Sequence, residues 1–183
     1  DLGVKSLAVL SNHKKFEALQ PLKKSLSKLR RLQRKLARSE KGSKNRIKLV
    51  LEIGELHRKI FNYRQNALHQ LTNYLTTHFS RIVIEDLNVS GMLKNGKLAR
   101  CIADVGFYEF RRQMEYKAEQ RGCEVIVADR YFASSKTCGY CGQKHDELTL
   151  SDRRWKCAHC GSEIKDRDFN AAINLRRYTG RAD

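Results

Sequence analysis

The segment RIVIEDLN, residues 81–88, decides the fold. Its β-branched run reads as a buried central strand that ends at a carboxylate, Glu85. On the upstream side the period changes from strand to helix. Ile47, Leu51, Leu56, Ile60, Leu68, Leu71 and Leu75 form the apolar side of a predicted helix from about Lys44 to Phe79, with Gly54 as a candidate kink. Before it, Leu22, Leu26, Leu29, Leu32 and Leu36 recur at helical spacing, and SEKGSK (39–44) breaks the pattern. The two stretches predict an antiparallel helical hairpin over about 22–79. Further upstream, Leu2 to Leu10 reads as one or two short strands around Gly3, and SNHKKFEALQP (11–21) as a turn region ending at the only proline.

Downstream of the strand, the loop NVSGMLKNGKLA (88–99) leads to a helix predicted from about Asp104 to Gln120. Val105, Tyr108, Phe110 (or Phe107), Met114 and Ala118 form its stripe. Gly122 closes it, and CEVIVADR (123–130) supplies another strand. A last helix is predicted from near Asp168 to Gly180. Strand, helices, strand, helix, strand, helix is the order of an α/β layer fold with a central sheet.

The 183 residues, 40% hydrophobic, suffice for one core and a small satellite. Charge is less ordinary: 37 Lys and Arg against 20 Asp and Glu leave +17. A chain that basic usually meets a polyanion, and nucleic acid is favoured over a membrane surface. There is no uninterrupted apolar run long enough to span a bilayer, and the start carries no signal-peptide pattern. Leu22 to Lys48 holds twelve Lys or Arg and one acid, Glu40, or +11 of the total. Solvated helix faces normally mix signs to gain pairs four residues apart, so this arm reads as a phosphate-backbone surface. Its candidate contacts are Lys23, Lys24, Lys28, Arg30, Arg31, Arg34, Lys35 and Arg38, with Lys136 elsewhere.

Four of six cysteines fall as CGYC and CAHC. Cys138, Cys141, Cys157 and Cys160 give C-x2-C-x15-C-x2-C, the spacing of four thiolates around a structural Zn2+ with no open position. Two such pairs together disfavour a redox site, and a complete thiolate set leaves His145 and His159 no vacancy. Cys101 and Cys123 read as small buried hydrophobes. The ribbon interrupts the chain between VIVADR and the last helix and is therefore an insertion.

Three acids occupy matching settings: Asp1 before a Gly turn and a strand, Glu85 at the end of the buried strand, Asp168 at the head of a helix. Ionised acids brought together at a sheet edge repel one another unless cations sit among them. Two Mg2+ or Mn2+ would suit hydrolysis of a nucleic-acid backbone, one activating water and the other holding the leaving oxygen. Taken singly, Glu85 is also readable as a surface acid and Asp168 or Asp166 as a helix N-cap.

DLGVKSLAVLSN, RIVIEDLNVSGM, ADRYFASSKTCGYCG and IKDRDFNAAINL resemble, in order and character, the RuvC-like nuclease domain and zinc-ribbon insertion of transposon-encoded TnpB proteins, relatives of compact type V CRISPR effectors. The resemblance covers essentially the whole chain. It implies an RNase H-like (RuvC-like) α/β fold, a mixed sheet with flanking helices, carrying the basic hairpin and the ribbon. The implied division is a nuclease core over 1–130, a ribbon over 131–164 and the last core helix over 165–183. It also implies a Mg-dependent endodeoxyribonuclease with a DNA substrate and a transposon-derived guide RNA, acting in a prokaryotic cytoplasm. By motif, Asp1, Glu85 and Asp168 are the catalytic acids, with Asp166 the substitute for the third. Asn170 and Ser134 to Lys136 would neighbour the site. Such proteins carry a larger N-terminal half, so the sequence reads as a fragment. A non-catalytic nucleic-acid-binding remnant and a guide-independent RNase H-like recombinase or resolvase are the rival readings.

Overall fold

The computed structural model describes residues 1–149 and 151–180. Its elements run β1 (Ser6–Val9), β2 (Lys15–Glu17), α1 (Pro21–Arg38), α2 (Lys44–His78), β3 (Arg81–Glu85), α3 (Val89–Leu93), α4 (Ala99–Val105), α5 (Phe107–Arg121), β4 (Glu124–Ala128), β5 (Trp155–Lys156), β6 (Glu163–Ile164) and α6 (Arg167–Arg177). The class is mixed α/β, as expected, but the single central sheet is not seen among the described residues. Three two-stranded sheets stand in its place. β1 and β2 are antiparallel, β3 and β4 parallel and in register from Arg81–Glu124 to Glu85–Ala128, and β5 and β6 antiparallel within the cysteine region.

The parallel pair needs a long crossover, which α3 to α5 supply. Leu68, Leu71 and Leu75 of α2, Ile82 and Ile84 of β3, and Phe107, Phe110 and Met114 of α5 close into the main core. Burying a side chain of this size contributes about 1.5–3 kcal/mol, so these eight residues dominate the stability of the region.

The predicted hairpin is present, with α2 continuous through Gly54. Its two arms meet through a separate small core of Leu29, Leu32, Leu56 and Ile60. The turn is built from polar contacts. Ser43 caps α2 by accepting from the Arg46 amide at 3.2 Å, and the Arg46 guanidinium donates back to the Leu36 carbonyl at 2.9 Å. Arg46, one of the twelve cations of that stretch, thus serves the hairpin turn. Ile47 and Leu51 leave the expected stripe, being 55% and 64% exposed, because the face of α2 that packs on α1 is that of Leu49, Ile53, Leu56 and Ile60, and Ile47 and Leu51 lie on the other side of the helix.

Three local expectations change. The segment after Leu10 contains β2, whose Phe16 pairs with Ala8. The helix expected from Asp104 is two, α4 and α5, separated by Gly106 in the left-handed region. Phe107, not Tyr108, is the buried aromatic at its head, Tyr108 being exposed. No helix among the described residues is long and apolar enough to cross a membrane.

Candidate metal centre and acidic corner

The four cysteine sulfurs converge. Their Sγ atoms all lie within 4.8 Å of one another, with Cys138–Cys160 and Cys141–Cys157 each at 3.7 Å. A tetrahedron of sulfurs about 2.3 Å from a central zinc has edges of roughly 3.8 Å, so this donor set fits such an ion. Both knuckles use one hydrogen-bond scheme. The first cysteine's amide donates five residues on, Cys138 to Gln143 and Cys157 to Ser162, and its carbonyl accepts from Gly142 or Gly161. Both glycines have positive φ, 78° and 72°, which a side chain would strain.

The thiols cannot all ionise unaided. The Cys160 amide holds Cys157 down at about 6, with help from the His145 ring, whereas Cys141, despite the Gln143 amide, is pushed up to about 12 by burial and its sulfur neighbours. His145 is a supporting residue and not a ligand: Nε2 lies 3.2 Å from Cys157 Sγ and Nδ1 3.0 Å from Glu147 Oε1. An outer contact of this kind orients a thiolate.

The base of the first knuckle is clamped by α6. Asn170 accepts from the Gly139 amide at 2.8 Å and donates to the Thr137 carbonyl at 2.7 Å, while Asn174 donates to the Ser134 and Thr137 carbonyls, each at 2.7 Å. Arg177 donates to the Gly139 carbonyl. The two asparagines are four residues apart on one helix face, which explains the N-A-A-I-N spacing. Gly139 is required by closeness: a Cβ there would sit 2.8 Å from Asn170 Oδ1.

Asp1, Glu85 and Asp168 approach the same corner from three elements. Asp1 is pinned beside β1 by backbone bonds in both directions with Val9, at 3.1 and 2.9 Å. Glu85 is the last residue of β3, level with the end of β4, and its Oε1 accepts from the buried Ser134 hydroxyl at 2.7 Å. Asp168 lies in the first turn of α6, where Arg153 donates to Oδ1 at 2.9 Å. Burial lowers the pKa of the Asp1 α-amino group, and the Glu85 and Asp168 carboxylates pull it back up, so both act on it directly. Among the described residues, only the cysteines form a group of three or more ligand atoms within 4.8 Å of one another. Asp166 is the N-cap of α6, accepting from the Asp168 and Phe169 amides at 3.0 and 3.2 Å and pairing with Lys15. Burial alone would raise its pKa, but Lys15 and the helix amides leave it lowered.

On α1, Lys23, Lys24, Lys28, Arg30, Arg31, Arg34, Lys35 and Arg38 are all exposed, and among them only Lys28 has an ion pair, 3.7 Å from Glu52. Lys136 differs, since its ammonium donates to the Asp146 carbonyl within the ribbon at 2.9 Å. Sequence reasoning missed His145 as a supporting contact, and it missed Asp86, whose carboxylate holds Arg111 and Arg130 at 3.2 and 2.7 Å.

Two family profiles match. One described as "Probable transposase" (OrfB_IS605) fits residues 1–96, and one described as "Cas12f1-like, TNB domain" fits residues 107–175. Relatives include a putative RNA-guided DNA endonuclease of Streptomyces pristinaespiralis, 41% identical over 96% of this chain and 43% of its own length. The putative RNA-guided DNA endonuclease InsQ of Escherichia coli K12 is 37% identical over 96% of this chain and 47% of its own. The CRISPR-associated endodeoxyribonuclease Cas12f1 of Sulfoacidibacillus thermotolerans is 29% identical over 78% of this chain and 34% of its own. The chain spans less than half the length of these relatives. A CRISPR-Cas12f ternary complex shares the fold at a TM-score of 0.68, 24% identity and 96% coverage of this chain, 37% of the other.

Proposed function

The chain belongs to the OrfB_IS605 probable transposase family, and from that premise we propose that it is the metal-dependent nuclease portion of a TnpB-like RNA-guided DNA endonuclease. The observation that supports this reading is the setting of three acids: Asp1 pinned beside β1, Glu85 at the end of β3 and Asp168 at the head of α6, the last two acting on the α-amino group of Asp1. The carboxyl end of parallel strands is where α/β folds place their sites. On this reading the core is RNase H-like over 1–130 and 165–183, and residues 131–164 are an inserted zinc ribbon.

Asp1, Glu85 and Asp168 would hold Mg2+ or Mn2+, which when bound supplies charge neutralisation and an activated water for phosphodiester hydrolysis. The protein's own part is positioning. Ser134 orients Glu85 through Oε1, Asp166 fixes the helix head that carries Asp168, and Val9 fixes Asp1. The exposed cations of α1 would bind the phosphate backbone, and pairing with a guide RNA would choose the sequence. Cys138, Cys141, Cys157 and Cys160 would hold a structural Zn2+ that keeps Ser134 in place through the Asn174 clamp.

The test is cleavage of labelled single-stranded DNA by the purified chain with Mg2+ or Mn2+, with and without transposon RNA. Cleavage is expected, falling to background in Glu85→Gln while binding persists. Metal-independent cleavage, or cleavage unchanged by Glu85→Gln, would overturn the reading. Binding with no cleavage under any of these conditions would leave a nucleic-acid-binding module instead.

A further inference from the structure

Asp1 and Asp168 lie far apart along the chain, yet a short path of direct contacts joins them. Asp1 exchanges backbone bonds with Val9, the last residue of β1, at 3.1 and 2.9 Å. Val9 faces Lys15, the first residue of β2, across the hairpin. The Lys15 ammonium pairs with Asp166, and Asp166 Oδ1 accepts from the Asp168 amide at 3.0 Å.

The turn of the same hairpin adds a second hold. His13 has a φ of 67°, in the left-handed region, which costs free energy at a residue with a Cβ. What that backbone gains is a stack: the His13 ring lies on Phe169, the neighbour of Asp168, with centroids 3.9 Å apart and planes 23° apart. Lys14 reaches the other way, its ammonium 3.6 Å from the centre of the Tyr74 ring on α2. Residues 13, 14 and 15 thus tie the turn to α6, to α2 and again to α6. Neither contact with α6 is explained by stability. Lys15 and Asp166 are 46% and 36% exposed, where an ion pair contributes little, and His13 is exposed and strained.

We propose that the β1–β2 hairpin sets the spacing between Asp1 and Asp168, with Lys15 and His13 as positioning residues that act through Asp166 and Phe169. The proposal rests on the nuclease reading, in which those two acids share metal. Small divalent ions tolerate little error in the placing of their oxygen ligands, and the groups behind the ligands supply that precision. Asp1 and Asp168 can serve together only if β1 and the head of α6 keep a fixed separation. The hairpin holds both.

The experiment is titration of the full chain with Mn2+, followed by the electron paramagnetic resonance signal of the free ion, with one equivalent of Zn2+ present and no nucleic acid. Lys15→Met removes a positive charge near the carboxylates, so charge alone would tighten Mn2+ binding. Positioning predicts the opposite, a loss of about 10-fold that Lys15→Arg restores. His13→Gly keeps the turn, because glycine takes a positive φ freely, and removes only the ring; a loss of about 10-fold is expected there too. Both residues are exposed, so an unchanged melting temperature checks that the fold is intact. Mn2+ affinity unchanged or raised in either variant overturns the proposal, as does a loss that Lys15→Arg fails to restore. A chain with no Mn2+ binding that Glu85→Gln weakens refutes the nuclease reading instead. Hydrogen exchange then decides for the hairpin. The Asp168 and Phe169 amides, both bonded to Asp166, exchange faster in both variants if it holds the head of α6, and at the unaltered rate if it does not.

Discussion

Asp104 shows how far one side chain can act from its place in the sequence. It is 2% exposed and caps α1 from 82 residues away, Oδ1 and Oδ2 accepting from the Leu22 and Lys23 amides at 3.1 Å each. Arg64 of α2 completes the junction, its Nη2 at 3.0 Å from Oδ1 and its Nε at 2.9 Å from the Asp104 carbonyl. Asp104→Ala removes the cap and leaves the Arg64 charge half-buried without its partner. We expect a loss of about 3 kcal/mol in a urea unfolding curve. From sequence, Asp104 read only as a helix start, since a cap borrowed from another element leaves no local pattern. Asn170 was named from the resemblance as a neighbour of the acidic site, but only the folded chain shows that it grips the knuckle backbone together with Asn174.

At the scale of elements, α2 and α5 meet through a polar layer as well as the core. Gln113 is fully buried, donating to Gln65 and Glu109 at 2.9 Å each, and Lys117 donates to Thr72 Oγ1 at 2.7 Å. Hydrophobic periodicity is silent about such a layer because it marks only apolar positions. Glu109, at the head of α5, is held at about 2 by its bonds with Arg112, against an ordinary value of 4.5. A depressed carboxylate stabilises the fold above its unfolded value, and that contribution is lost as pH falls from about 4.5 toward 2. Glu109 is half-buried, but its partner Arg112 is exposed to water, so screening keeps the effect small. Melting temperature measured over that window should fall less steeply in Glu109→Gln than in the unaltered chain; equal slopes would assign the acid sensitivity to other groups.

Across the whole molecule, the cysteine region is organised differently from the rest. Its apolar cluster consists of Cys138, Cys157 and Ile164, with Trp155 against it, too little to hold a fold by burial. A bound metal is therefore expected to be its centre. Chelation should expose the amides of Cys138, Gly142, Cys157 and Gly161 to rapid hydrogen exchange while those of Leu68, Leu71 and Leu75 stay protected. Because Asn170 and Asn174 join the knuckle to α6, protection at the head of α6 should drop in the same experiment. Retained protection in the knuckles after the metal is gone would make the cysteines dispensable to the fold.

The sequence by itself determined the class of elements, the hairpin and the cysteine quartet, because each rests on local spacing: helical recurrence of leucines, a β-branched run, paired C-x2-C units. Tertiary structure alone decided how those pieces share partners. The expected central sheet resolved into three pairs, Asp104 became a cap for α1, His145 a support for Cys157, and Asp86 a holder of two arginines. Such contacts join residues tens of positions apart, and hydrogen bonds between distant polar groups follow from where the backbone brings them, which no periodicity along the chain encodes.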